Sequence, residues 1–198
     1  DTALRRYSVV MRRLLSTDEF DAALYLVSPT QDIVDAGHGS PWWRLQGASA
    51  VAQWVASAAD PGFRQLWPSA RARLERAFSE YVDSGASEGL GAQYVGNVVT
   101  ALQKTQRAAK AVDLSSWALP VAAKTNNPKE TLFTLCDNAV SLFCCGRFEE
   151  SAMVFESVHQ RAREACDAEA MGWAVNYLRD FGVFSGSPAY SQALQRLR

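Results

Sequence analysis

The sequence predicts an all-α protein built as stacked antiparallel helical hairpins, an α-solenoid of about ten helices. Three observations predict it. Apolar residues recur at spacings of three and four, as in Val10, Leu14 and Leu15 or Ala139, Leu142 and Phe143, which lines one face of a helix. Strand-like alternation is nearly absent. A capping residue followed by proline recurs along the chain, at Ser40-Pro41, Asn127-Pro128 and Ser187-Pro188, where proline suits the first helical turn.

In chain order, the first helix is expected over 3–15 and the second over 19–28. A long loop from Pro29 to Pro41 follows, broken at Gly37-His38-Gly39. Ser40-Pro41 then opens a helix over 42–59. The next spans 68–83 and stops at Ser84-Gly85. Gly89 to Gly91 precedes helices at 91–105 and 107–121. Asn127-Pro128 opens 129–144, with Glu130 as the acidic half of a capping box. Helices at 147–165 and 168–181 follow, and Ser185-Gly186 separates them from a last one at 187–197. Short links make successive helices antiparallel.

An internal repeat supports the stacking. Residues 11–28 align without gaps on 139–156: Leu14 meets Leu142, Leu15 meets Phe143, Phe20 meets Phe148, and Ala23 meets Ser151. Each copy reads as a helix with two apolar residues near its end, a tight turn, and an aromatic opening the next helix. The small residues Ala23 and Ser151 allow close helix approach, and the two phenylalanines are expected to be buried beside the turns. The offset suits three units of roughly 43 residues, with weaker echoes at Val99, Leu102 and Ala111 and at Trp54 and Phe63. Such units share a core when stacked. One helical-repeat domain over 1–198 is therefore expected, with a candidate subdivision near 84–91.

Composition bounds the function. The chain has 198 residues, 48% apolar and 21% charged, and a formal net charge of −1. That charge removes the broad positive field on which nonspecific nucleic-acid binding relies. Sixteen of the twenty cations are arginine, which favours forked pairing with carboxylate or phosphate. Cys136, Cys144, Cys145 and Cys166 form no Cys-x-x-Cys pair, and His38 and His159 are far apart in sequence, so no metal or other cofactor is expected. No apolar run reaches membrane-spanning length. A start at Asp1 without methionine predicts a fragment of a longer chain or a processed protein.

The segment 134–157 resembles a pentatricopeptide repeat. Leu142, Cys144, Gly146, Arg147, Phe148, Glu149, Glu150, Phe155 and Glu156 carry the likeness, with Ser151 where that family usually has alanine. The related tetratricopeptide repeat has a similar turn. For a repeat starting at Phe133, the resemblance implies that Asp137 and Asp167 sit where the family contacts an RNA base. A unit from Gln93 would offer Asn97 and Asn127 there, whereas the first unit would offer Val9 and Gly39, which cannot read a base. The resemblance further implies an organellar, mitochondrial location and RNA metabolism.

Arg71, Arg73 and Arg76 form one arginine cluster; Arg5, Arg6, Arg12 and Arg13 form another, with Arg6 and Arg13 on one face. One reading is phosphate contact. The other is a solvated face paired with Glu75, Glu80 or Asp18. The tryptophans Trp42, Trp43, Trp54, Trp67, Trp117 and Trp173 read mainly as core, with Trp42 or Trp43 as a candidate exposed anchor. Cys144 or Cys145 with His159 is the one nucleophile–base pair worth naming, and a repeat helix is a poor place for it. The expectation is thus a non-catalytic helical-repeat subunit of an organellar RNA-processing complex or ribosome, touching RNA phosphates, protein subunits or both. The competing expectation is a tetratricopeptide-like adaptor that binds protein alone.

Overall fold

A computed structural model describes residues 2–17, 19–85 and 89–197. Among the described residues the chain is all-α, with eleven helical segments and no strand. They are α1 (Thr2–Ser16), α2 (Phe20–Asp35), α3 (Pro41–Ser57), α4 (Pro61–Arg64), α5 (Trp67–Asp83), α6 (Gly91–Lys104), α7 (Ala108–Ala122), α8 (Pro128–Cys144), α9 (Phe148–Glu164), α10 (Ala168–Ser185) and α11 (Pro188–Arg196). Among the described residues no helix is long and apolar enough to cross a membrane.

The chain divides into two compact units, Asp1–Thr105 and Gln106–Arg198. The division falls after Thr105, whereas the sequence suggested 84–91, a stretch partly outside the described residues. In the first unit α3 is the central element and touches α1, α2, α5 and α6. It is buried at nearly every position from Leu45 to Ala56, which its run of small residues permits. Gly47 shows how tight this is: an added Cβ would lie 2.8 Å from a methyl of Leu4. In the second unit the helices stack in sequence, α7 on α8, α8 on α9, α9 on α10 and α10 on α11. Its core runs from Leu132, Val158 and Ala174 to Phe155, Leu178 and Tyr190.

The repeat extends beyond the aligned segment. The buried residues of α2 are Ala23, Val27, Thr30 and Val34; Ser151, Phe155, Val158 and Ala162 of α9 are buried at the same offset. On the preceding helices, Leu4, Ser8 and Met11 correspond in the same way to Leu132, Cys136 and Ala139. The turns share a closing bond. Glu19 N–H donates to the Leu14 carbonyl at 2.8 Å, and Arg147 N–H donates to that of Leu142 at 3.0 Å. At α8 this bond and that from Gly146 N–H to Phe143 make a Schellman motif, with Gly146 at φ 74°.

The helix boundaries differ from the sequence reading at three places. The loop expected from Pro29 is short, because α2 runs on to Asp35. Pro29 removes one backbone donor, but Thr30 and Val34 beyond it are buried, which offsets that loss. Second, α10 continues to Ser185, where Gly186 at φ 66° ends it. Third, α4 was missed although Asp60-Pro61 carries the same capping signal: Asp60 Oδ1 accepts from Gly62 N–H at 2.7 Å. Phe20 and Phe148 do open equivalent helices, but both are half-buried and not fully enclosed. Phe148 lies against Phe143 and Tyr190 at ring separations of 5.6 and 6.3 Å.

Candidate interaction surfaces

The arginine cluster of α5 is held from within the first unit. Arg73 grips both oxygens of Asp35, with Nε at 2.9 and 2.8 Å, and also donates to Ser69. Arg76 reaches the same carboxylate at 2.9 Å, and Arg71 pairs with Glu75 at 2.7 Å. Asp35 is the last residue of α2, where a carboxylate opposes the helix dipole, so two guanidinium groups there relieve an unfavourable charge. The hydrogen bond from Arg73 holds the Asp35 carboxyl below its usual range, against the opposing effect of partial burial. Of the acidic partners anticipated for these arginines, Glu75 is used, Glu80 pairs with Arg44 at 2.9 Å, and Asp18 lies outside the described residues.

On α1 the arginines divide. Arg12 lies 5.2 Å from the ring centre of Tyr94 and donates to its hydroxyl at 3.2 Å, and Arg5 lies 5.4 Å from that of Trp43. Arg6 and Arg13 are exposed, and among the described residues neither joins an ion pair.

The residues singled out by the resemblance are not brought together. Asp167 caps α10, accepting from Ala170 N–H at 3.0 Å, and lies 3.9 Å from the ammonium of Lys129 near the start of α8. Asp137 sits eight residues beyond Lys129 on that helix, roughly 12 Å along its axis at 1.5 Å per residue. Burial pushes its carboxyl up to about 7, and it lies near Cys136 and Tyr177. Asn97 is half-buried on α6, and Asn127 caps α8 by accepting from Lys129 N–H at 3.1 Å.

None of the tryptophans is an exposed anchor. Trp42 is enclosed by Tyr81 and Tyr94 at 5.7 and 5.0 Å, so tightly that a Cβ on Gly89 would meet it at 2.4 Å. Cys144 is exposed, and partial desolvation together with the neighbouring Cys145 raises its thiol above the ordinary range, the opposite of what activates a nucleophile. Among the described residues no group of acidic, histidine or cysteine side chains could hold a metal ion.

Sequence reasoning did not find a groove where α2 begins and α3 ends. It has a volume of about 690 Å³ and a floor of Phe20, Leu24, Trp54 and Phe63. Trp54 and Phe63 meet edge to face at 4.8 Å, and the Trp54 indole N–H donates to the Phe20 carbonyl at 2.9 Å. Glu19, Asp21 and Asp60 stand around it. The echo of Trp54 and Phe63 was visible as a repeat signal; that α4 folds Phe63 back onto Trp54 was not. No protein-family model, curated protein or solved structure matches the chain.

Proposed function

We propose that this chain is a non-catalytic helical scaffold that binds partner proteins through its helix faces. The observation that carries this reading is the internal use of Arg71, Arg73 and Arg76, whose guanidinium groups already face Glu75 and Asp35. Freeing them for phosphate would leave Asp35 uncompensated at a helix C-terminus. Further support comes from large apolar side chains exposed on helix faces, with Tyr25 82%, Met153 65%, Val183 78% and Phe184 79% accessible. Such positions fit protein contact better than a charged polymer. The hairpin at 134–157, with its likeness to pentatricopeptide and tetratricopeptide units, also supports a scaffold.

The second reading, a subunit of an organellar RNA-processing complex, is favoured by the exposed Arg6 and Arg13. Fluorescence anisotropy with labelled single-stranded RNA at low and moderate salt separates the two. A protein scaffold should bind RNA no tighter than about 1 μM, the tight end of the nonspecific range. Replacing Arg71, Arg73 and Arg76 by alanine should leave that value unchanged, and affinity capture after nuclease treatment should still retain partner proteins. Sub-micromolar RNA binding that is lost in the triple variant would overturn the proposal.

A further inference from the structure

The groove at the start of α2 has the dimensions of a ligand site, within the roughly 300–1,000 Å³ of typical pockets. Its floor is apolar and partly aromatic: Phe20 and Phe63 are half-buried, and Leu24 is 39% exposed. Leu24 is the informative position. Its counterpart in the second unit, Ala152, is 1% exposed within its core, so the larger residue stands open where the matching one is covered. Trp54 beneath is only 3% exposed and is held by its bond to the Phe20 carbonyl, so this part of the floor is in place before anything binds.

The rim is negative. Glu19 accepts from the Thr17 hydroxyl at 2.9 Å and Asp60 accepts from Gly62 N–H, both neutral donors. Asp21 lies in the first turn of α2. Among the described residues no lysine or arginine pairs with any of the three carboxylates. Arg64, four residues beyond Asp60, turns to the Ala58 carbonyl at 3.2 Å. The positive end of α2 and the negative end of α3 meet here and largely offset each other, which leaves the side chains to decide the sign.

Resting on the protein-binding reading, we infer that this groove takes a short basic-apolar segment of a partner protein, an apolar side chain on the Phe20–Leu24–Trp54–Phe63 floor with a flanking lysine or arginine among Glu19, Asp21 and Asp60. Charge complementarity identifies the occupant. An acidic or neutral apolar segment would gain the floor but not the rim, and a nucleic acid would be repelled by it.

The Trp54 indole N–H lies at the groove, and its resonance can be followed among those of the six tryptophans. The full chain is titrated with three synthetic hexapeptides, blocked at both ends and built on leucine, carrying two lysines, two norleucines or two glutamates. The lysine peptide should shift the Trp54 resonance at sub-millimolar concentration. The norleucine peptide should bind at least fivefold more weakly, and the glutamate peptide not at all. Glu19→Gln with Asp21→Asn should reduce lysine-peptide affinity by a similar factor while thermal melting shows the fold intact. Leu24→Arg should abolish it. Equal affinity for lysine and glutamate peptides, or no Trp54 response to any of them, overturns the inference. If nuclease-resistant partner capture survives Leu24→Arg in that case, the groove alone is wrong; if capture fails in the unaltered chain, the protein-binding reading falls as well.

Discussion

Two carboxyl groups illustrate how neighbours set the behaviour of a single residue type. Asp35 meets two guanidinium groups and is held below its usual range, so its contribution to stability is present above about pH 4 and is lost as pH falls below that. Because it is 40% exposed, that contribution should be modest, about 1 kcal/mol. Asp137 behaves in the opposite way. With burial pushing it up to about 7, the folded chain keeps a proton that the unfolded chain releases near pH 4. Stability should therefore fall as pH rises from about 4 to 7 and level off above, with an upper bound of about 4 kcal/mol. Asp137→Asn should flatten that slope and raise the urea midpoint at pH 8; an unchanged slope would show that another group is responsible. Nothing in the spacing of the sequence distinguishes these two aspartates. One meets its arginines across 38 and 41 positions of chain, and the other is half-buried on α8 beside Cys136 and near Tyr177.

At the level of elements, the three-residue turn is the recurring device. Gly146 at φ 74°, Cys166 at φ 54° and Gln106 at φ 58° each hold the left-handed position between two helices. Glycine is natural there, while the other two residues bear a strain of roughly 1 kcal/mol that packing on both sides must offset. Gly146→Ala should thus lower stability by about 1 kcal/mol, although an added Cβ meets nothing within 4 Å. Gly172, inside α10 and equally open, should respond oppositely, with Gly172→Ala raising stability by about 0.5–1 kcal/mol. Chemical denaturation of the pair checks this, since a loss at both positions would mean that contact and not backbone conformation decides. The same level shows why the loop from Pro29 was misread. Local chemistry argued for a stop, but Val27, Thr30 and Val34 continue the buried face of α2.

For the molecule as a whole, each compact unit has its own buried side chains. Phe155, fully enclosed in the second unit, touches a cluster that includes Ala139, Leu178, Tyr190 and Ala193. Phe155→Ala should cost about 3–5 kcal/mol, and the loss of amide protection should be concentrated in α8 to α11. Hydrogen exchange followed by mass spectrometry would show this, and an equal loss throughout α1 to α6 would contradict it.

The sequence by itself determined the helical class, most helix starts and the internal repeat, because these depend on spacing and on capping chemistry within a few residues. Ser40-Pro41, Asn127-Pro128 and Ser187-Pro188 each stand at a helix start in the structure. The match of 11–28 to 139–156 reappears as shared burial and shared turn bonds. Only the tertiary structure decided which arginines are already paired, which aspartate titrates near neutrality, and where an apolar floor remains open beneath an acidic rim. Those properties depend on groups that meet across tens of residues, such as Arg73 with Asp35 or Trp54 with Phe20, and local pattern carries no term for them.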